Sequence, residues 1–176
     1  MAELKDSGTR REFNTGAVRD MAEGKGRCDL LPLDTASFLF GQTYGDIDVS
    51  AEICAALSLF QRTGDDLYLW LTIDHFIASD ETPFSSYPDM FLEVAKHFED
   101  GCRKYGENNW QKGIETKWYV DSAVRHYLKY LRGDTDEPHD RAFCWNIICA
   151  IWTCEHKPEL NTYAVKDNKN ETEVTE

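Results

Sequence analysis

The chain contains 176 residues with a formal net charge of −13, and 41% of its residues are hydrophobic and 12% aromatic. This length and composition suffice for one domain with a packed core. The negative charge argues against binding along a nucleic-acid backbone, which requires a net basic face. A small anionic ligand stays compatible with it, because a local cationic pocket or a bound metal ion outweighs a negative average.

Six cysteines occur without any Cys-x-x-Cys pair, which favours reduced core thiols and a cytoplasmic location. The polar residues 1–16 contain no apolar run of the kind that a secretory signal has. No stretch approaches about 18 apolar residues, so we expect no membrane span and no membrane partner.

The first half of the chain predicts two helices with an intervening stop. Residues 1–15 are charged and polar, which predicts a mobile N-terminus, and a glycine-punctuated basic segment follows over residues 16–34. Residues 34–43 start with a capping pattern that predicts a short helix. Residues 48–79 contain an amphipathic helix, a stop at Gly64 and a second apolar stretch, which alternates in a way that leaves helix and strand both open.

The second half predicts three further helices. The first spans residues 85–106, and its helically spaced apolar residues are Phe91, Leu92, Ala95 and Phe98. The second ends at Gly133. The third has Asp136 as its N-cap and Pro138 in its first turn, and it is apolar on nearly all sides from Phe143 to Trp152, which places it centrally. Residues 161–176 are polar and predict a disordered tail.

The last two predicted helices are joined by a short connection, so we expect them to lie antiparallel with His126 opposite Asn146. Both residues lie within or beside apolar stripes, where a polar group needs a partner or a ligand. A hydrogen bond between them that locks the bundle is one interpretation, and a ligand site is the other.

Carboxylates and imidazoles accumulate around the same helices. Carboxylates with imidazoles are the ligand set for Mg, Mn or related divalent ions. Acids at a helix N-terminus are also explained as capping residues. The residues concerned are Glu99, Asp121, His126, Asp134, Asp136, Glu137 and His139.

Three stretches, read in order, carry a family resemblance: GAVRDMAEGKGRCDLLP, HFEDGCRKYGENNWQKG and DSAVRHYLKYLRGDTDEPHDRAFCWN. Over residues 16–34 and about 91–150 the chain resembles the phage dATP/dGTP diphosphohydrolase family, often called MazZ. These enzymes are relatives of the MazG-like nucleoside triphosphate pyrophosphohydrolases. The resemblance implies an all-α, MazG-like helical bundle over residues 16–160 that forms homo-oligomers. Residues 40–88 look like an insertion between the two blocks.

The resemblance also implies an activity, namely hydrolysis of the purine deoxynucleoside triphosphates dATP and dGTP to the monophosphate and pyrophosphate. The implied cofactor is a divalent metal ion, Mg, Mn or Co. In such phages the activity supports diaminopurine DNA synthesis, because it depletes dATP and supplies dGMP. The expected location is then the host cytoplasm.

The metal motif departs from the MazG pattern of Glu-x-x-Glu on one helix and Glu-x-x-Asp on another. The first pair is absent, because Lys96 follows Glu93 at that spacing. Glu137 and Asp140 have the second spacing and are reserve candidates. Asp121 is the candidate base or orienting residue, and the candidate metal ligands are Glu99, His126, Asp136 and His139.

Hydrolysis of a triphosphate requires cations for its developing negative charge. Exposed lysines and arginines on loops are otherwise explained by solubility. The available cations are Arg19, Lys25, Arg27, Lys104 and Lys112, and Gly24 and Gly26 would let the backbone approach a phosphate closely.

The loop KYGENNWQKG suits the base of such a substrate. Trp110 is the candidate for stacking on the purine, and Asn109 for reading its edge. Alternatively, Trp110 closes the end of the helical bundle.

Two other functions stay open from the sequence. One is a nucleotide triphosphohydrolase or phosphatase, which the same histidines and acids would permit. The other is a non-catalytic helical adaptor that binds a protein partner through its acidic surface.

Overall fold

The computed structural model describes residues 9–20, 28–31, 33, 48–80 and 82–163, and the short helix predicted over residues 34–43 lies outside them. The described part is a helical bundle with one small hairpin, which confirms the all-α prediction. None of its helices is long and apolar enough to cross a membrane. The elements are β1 (Arg10–Glu12), β2 (Val18–Asp20), α1 (Val49–Thr63), α2 (Leu67–Ala78), α3 (Tyr87–Tyr105), α4 (Thr116–Arg132) and α5 (His139–His156).

Helices α1 and α2 form an antiparallel pair within the segment that the sequence marks as an insertion. The side chain of Asp48 accepts a hydrogen bond from the Ser50 amide, which caps the start of α1. Gly64 ends α1 in the left-handed conformation with φ of 70°, as its position predicts. The second apolar stretch is a helix, and its Phe76 packs edge-on against Phe143 of α5 with ring centroids 5.0 Å apart.

Helix α3 turns a different face to the core from the one that the sequence predicts. Phe91 and Leu92 are 52% and 68% exposed, whereas Met90, Val94 and His97 are buried. Both sets of residues repeat at helical spacing, so the sequence pattern is compatible with burial of either set. In the packed structure the set of Met90, Val94 and His97 is the buried one. The Ser86 side chain caps the helix start by accepting a hydrogen bond from the Asp89 amide.

Helices α4 and α5 form the centre of the bundle. Gly133 ends α4 with φ of 80°, as predicted. The stretch from Phe143 to Trp152 is central as predicted, because α5 contacts α2, α3 and α4 and buries most of its side chains. Asp136 is not the N-cap of α5, since Pro138 occupies that position and no side chain caps it.

The hairpin β1–β2 covers one end of this bundle, and the sequence gives no sign of its three-residue strands. The strands pair antiparallel, with Arg11 opposite Arg19. The Thr15 hydroxyl in the turn donates to the carbonyl of Gly113, 2.5 Å away, which ties the hairpin to the loop between α3 and α4. At the other end of the chain, Tyr163 packs against Phe60, so the packed structure continues past the predicted boundary at residue 160.

Candidate functional site

A cavity of about 1040 Å³ lies between the hairpin, α3, the loop after it, α4 and α5. Its volume lies at the upper end of the range of small-molecule sites. One face of α4 lines it at helical spacing through Asp121, Ser122, Arg125, His126 and Lys129. The buried residues Tyr119, Val120, Ala123, Val124 and Tyr127 lie on the rest of α4 and belong to the core. One stripe of α4 is therefore polar, although the rest of the helix belongs to the core, because that stripe lines the cavity.

Two histidines form the polar end of the cavity. The Nδ1 atoms of His126 and His139 lie 2.9 Å apart, and the ring centroids lie 5.2 Å apart. His139 Nε2 lies 2.8 Å from Asp136 Oδ1. When Nε2–H donates to that carboxylate, Nδ1 of His139 carries the lone pair that faces His126. The predicted pairing of His126 with Asn146 is wrong, because α5 begins at His139 and brings this residue beside His126.

Burial lowers the pKa of His126 well below its usual 6.5, and the nearby His139, His97, Arg19 and Arg125 lower it further. His126 is therefore neutral near pH 7 and offers a nitrogen lone pair. A neutral imidazole is the form in which histidine binds a metal ion.

Glu137 completes a group that could hold a metal ion. The ligand atoms of His126, Glu137 and His139 all lie within 4.8 Å of one another, and Asp134, Asp136 and His139 form a second such group. Within the described part of the chain, Glu137 makes no hydrogen bond or ion pair, and it lines the cavity. Two imidazoles with one free carboxylate fit a divalent transition metal such as Mn or Co better than Mg, which prefers oxygen ligands.

The opposite end of the cavity is aromatic and holds Arg19, which is half-buried. Arg19 Nη2 donates to Asn146 Oδ1, 2.5 Å away, and Arg19 Nη1 is buried without a hydrogen-bond partner among the described residues. The guanidinium carbon lies 5.3 Å from the ring centroid of Tyr119 and 6.0 Å from that of Trp145. Burial lowers the pKa of Arg19 from 12.5. Among the described residues Arg19 forms no ion pair with a carboxylate, and a cation held among rings suits a polar, flat ligand.

A comparison with protein families agrees with this geometry. Residues 80–163 match the family described as dATP/dGTP diphosphohydrolase, N-terminal. Over this stretch the chain is similar to that family. No curated protein and no solved structure matches the chain. The predicted resemblance is confirmed over this stretch, which contains α3, α4 and α5 and therefore the whole histidine group.

Three of the four predicted metal ligands lie together, and the fourth does not. His126, Asp136 and His139 form one connected cluster. Glu99 is 62% exposed at its side chain, forms an ion pair with Arg103 on α3, and belongs to neither metal-ligating group. The reserve candidate Glu137 takes its place.

Asp121, the predicted base, has both oxygens engaged. Oδ1 accepts a hydrogen bond from the Cys28 amide at 2.6 Å, and Oδ2 accepts one from the Arg125 side chain. The residue is 1% exposed. Its geometry holds the segment around Cys28 on α4 and orients Arg125 towards the cavity.

The predicted phosphate-binding cations fall into three groups. Arg19 is half-buried at the aromatic end, and Lys104 lines the cavity with its Nζ 2.7 Å from Asp20 Oδ2. Lys112 is exposed, hydrogen-bonds the Gly16 carbonyl at 3.3 Å and does not line the cavity. Lys25 and Arg27, with Gly24 and Gly26, lie outside the described residues.

The predicted base-binding pair has structural partners. The side-chain amide of Asn109 accepts from the Val18 amide at 3.0 Å and donates to the Val18 carbonyl at 2.8 Å, so it holds strand β2. Trp110 packs between Phe98 and Trp152, with ring centroids 5.1 Å and 4.9 Å away, and lines the cavity. Its stacking role and its bundle-closing role are compatible with this position.

Several residues of the cavity were not predicted from the sequence, among them Arg125, Lys129, His97 and Trp145, and the first two carry a signal. Arg125 and Lys129 follow Asp121 at four-residue steps, which is the spacing of one helix face. His97 and Trp145 lie among apolar residues and could not be told from core side chains.

Proposed function

We propose that the chain hydrolyses purine deoxynucleoside triphosphates, dATP and dGTP, to the nucleoside monophosphate and pyrophosphate, with a divalent metal ion as cofactor. The observation that carries the proposal is the pairing of two different ends in one cavity, a histidine–carboxylate group at one and a ring-lined arginine at the other. The family match over residues 80–163 supports the same chemistry.

The substrate lies with its triphosphate towards His126 and Glu137 and its base towards Trp145. His126, Glu137 and His139 would hold the metal ion, with Asp136 orienting His139 through Nε2. A bound divalent ion supplies positive charge at the phosphate oxygens and lowers the pKa of water.

The residues of α4 position the triphosphate. Arg125 and Lys129 line the cavity one turn apart, and their charges offset the negative charge that develops when the bond between the α-phosphorus and the bridging oxygen breaks. Asp121 accepts a hydrogen bond from Arg125 and keeps its guanidinium in place. We assign Asp121 this orienting role because both of its oxygens already accept hydrogen bonds.

The proposal extends to the biological setting and to assembly. Depletion of dATP and supply of dGMP would support synthesis of diaminopurine phage DNA in the host cytoplasm. Apolar side chains exposed on α2 and α3 support a homo-oligomer, which light scattering at micromolar concentration would detect; a strict monomer would contradict it. These side chains are Leu67, Trp70, Phe91 and Leu92.

The deciding experiment is a panel of deoxy- and ribonucleoside triphosphates, assayed with Mn, Co or Mg and with a chelator. Pyrophosphate and a nucleoside monophosphate, formed from purine deoxynucleotides only with metal present, are the expected products. Release of nucleoside with inorganic triphosphate, or of diphosphate with phosphate, would instead identify a triphosphohydrolase or a phosphatase. No metal-dependent product from any nucleotide would favour the adaptor.

A further inference from the structure

Three buried nitrogen atoms at the aromatic end of the cavity lack hydrogen-bond partners among the described residues. They are Arg19 Nη1, Trp145 Nε1 and His97 Nδ1, and their residues line the cavity. His97 is 6% exposed. Buried polar atoms in folded proteins are almost always paired, so unpaired ones on residues that line a cavity point to a ligand that completes them.

The side chain of Arg19 is held in a fixed orientation. Asn146 Nδ2 donates to the Ala142 carbonyl at 2.8 Å, which leaves Asn146 Oδ1 to accept from Arg19 Nη2. Asn146 is 1% exposed, so this hydrogen-bonded chain is shielded from solvent. With Nη2 used, Nη1 is the terminal nitrogen of Arg19 that still lacks a hydrogen-bond partner among the described residues.

The surroundings of Arg19 suit a base better than a phosphate. Asn146 follows His139 by seven residues, which places it about 10 Å further along α5 from the histidine group. The rings of Tyr119 and Trp145 lie near the guanidinium, and aromatic rings with arginine planes are the usual partners of an unstacked base. A triphosphate held at the histidine group therefore leaves its base at this end.

We infer that Arg19 Nη1 and Trp145 Nε1 donate hydrogen bonds to the 6-oxo edge of a purine, so that the site prefers 6-oxopurines to 6-aminopurines. This inference rests on the proposed function. Guanine presents two acceptors on that edge, O6 and N7, whereas adenine presents the N7 acceptor beside an amino donor. Two fixed donors match the first pattern and oppose the amino group of the second.

His97 packs beside Trp145 at the same end of the cavity. Its ring centroid lies 5.1 Å from that of Trp145. Burial, with Arg141 and Arg19 nearby, lowers the pKa of His97 to about 3. His97 is therefore neutral and adds no positive charge beside Arg19.

The first test compares four triphosphates: dGTP, dITP, dATP and the 2,6-diaminopurine deoxynucleotide. Inosine keeps the 6-oxo edge without the 2-amino group, and diaminopurine keeps the 2-amino group with a 6-amino edge. We expect kcat/KM for dGTP and dITP to exceed that for the two 6-amino substrates by at least about fivefold. Equal kcat/KM values for the four substrates would overturn the inference. So would a preference that follows the 2-amino group and not the 6-position.

Matched variants separate the two donors from general effects. Trp145→Phe keeps the ring and removes the Nε1 donor, and Arg19→Lys keeps the charge and removes the second nitrogen. Each should bring the ratio of 6-oxo to 6-amino substrates close to one, whereas Arg62→Gln, an exposed arginine outside the cavity, should leave it unchanged. If kcat/KM fell equally for all substrates in both donor variants, Arg19 would be assigned to the phosphates. The proposed recognition of the base by the two donors would then be refuted. Circular dichroism checks folding, and Trp145→Phe decides alone if Arg19→Lys does not fold.

Calorimetric binding of dGMP and dAMP to the full chain without metal provides a readout that needs no turnover. Tighter binding of dGMP, lost in Trp145→Phe, supports the inference even if no triphosphate is hydrolysed, in which case only the proposed function fails. Pyrophosphate release without any preference, in binding or turnover, leaves the proposed function standing and sinks the inference. Absence of both binding and hydrolysis overturns both.

Discussion

His126 and His139 face each other across the junction of α4 and α5 with their Nδ1 atoms 2.9 Å apart. Two imidazole nitrogens this close cannot both carry a proton, so they share one proton or turn their lone pairs to one cation. Asp136 is hydrogen-bonded to the other ring nitrogen of His139. The carboxylate of Glu137 lies beside the two histidines without a partner among the described residues. A metal ion would replace the shared proton and take Glu137 as a third ligand.

Replacing either histidine should remove the metal ion and the activity together. We expect His126→Ala and His139→Ala each to lower the rate of pyrophosphate release by about 100-fold or more, because one ligand is lost. Calorimetric titration with Mn measures the binding, and circular dichroism confirms the helices. Unchanged rates in both variants would return these histidines to a structural role.

Asp136→Asn should have a smaller effect than loss of a ligand. The amide cannot orient His139 as the carboxylate does, and loss of such an outer partner lowers metal affinity about 10- to 100-fold. Mn affinity measured beside that of His139→Ala gives the ranking. A loss as large as that of His139→Ala would make Asp136 a direct ligand.

Asn109→Ala should act on the hairpin and not on base selection. The variant loses both hydrogen bonds to Val18, so we expect about 1–3 kcal/mol less stability in denaturant unfolding. The Michaelis constants for dGTP and dATP should rise by the same factor, because β2 carries one wall of the cavity. A change confined to one base would restore Asn109 as a base-reading residue.

Two lysines provide a matched pair for the phosphate contacts. Lys112→Ala should change kcat/KM by less than about twofold, since Lys112 is exposed and outside the cavity lining. Lys129→Ala should weaken all triphosphates alike, because Lys129 lines the cavity beside Asp136 and contacts charge rather than base. A larger loss from Lys112→Ala than from Lys129→Ala would place the triphosphate in the loop instead.

The stability of the fold should depend on pH through His97. Its pKa is about 3 in the folded chain and 6.5 as a free side chain, so between these values the unfolded chain binds a proton that the folded chain does not. The free energy of unfolding therefore falls as the pH decreases through this window, by about 1.4 kcal/mol per pH unit from this group, and His97 contributes no slope above it. Denaturant unfolding of His97→Gln should show a flatter curve below about pH 6. Parallel curves for the two proteins would contradict the burial of a neutral His97.

Local signals sufficed for most of the helices. Gly64, Gly106 and Gly133 each end a helix where the sequence predicts it, since a stop needs only one residue with a suitable backbone. The apolar residues predicted on α3 are not all buried, because Phe91 and Val94 are equally apolar and only packing distinguishes them. The prediction that Asp136 caps the start of α5 was wrong, because its carboxylate is hydrogen-bonded to His139.

The candidate site was predictable only in part. His126 and His139 stand out because imidazoles are rare in apolar helices, whereas Glu137 resembles any acid before a helix. Asn109 has a side-chain amide of the kind that binds ligands. In the fold, however, this amide is bonded to the backbone of Val18, 91 residues away along the chain. Contacts of that range depend on how the hairpin docks, which no local pattern encodes.

One residue at the aromatic end of the cavity comes from outside the matched stretch: Arg19 lies on a hairpin upstream of residues 80–163, which contain the histidine group and Trp145. Under the two proposals, one of the two base-reading donors is therefore encoded apart from the histidine group. Substitutions confined to the hairpin would then change the base preference and leave the residues of the histidine group unaltered.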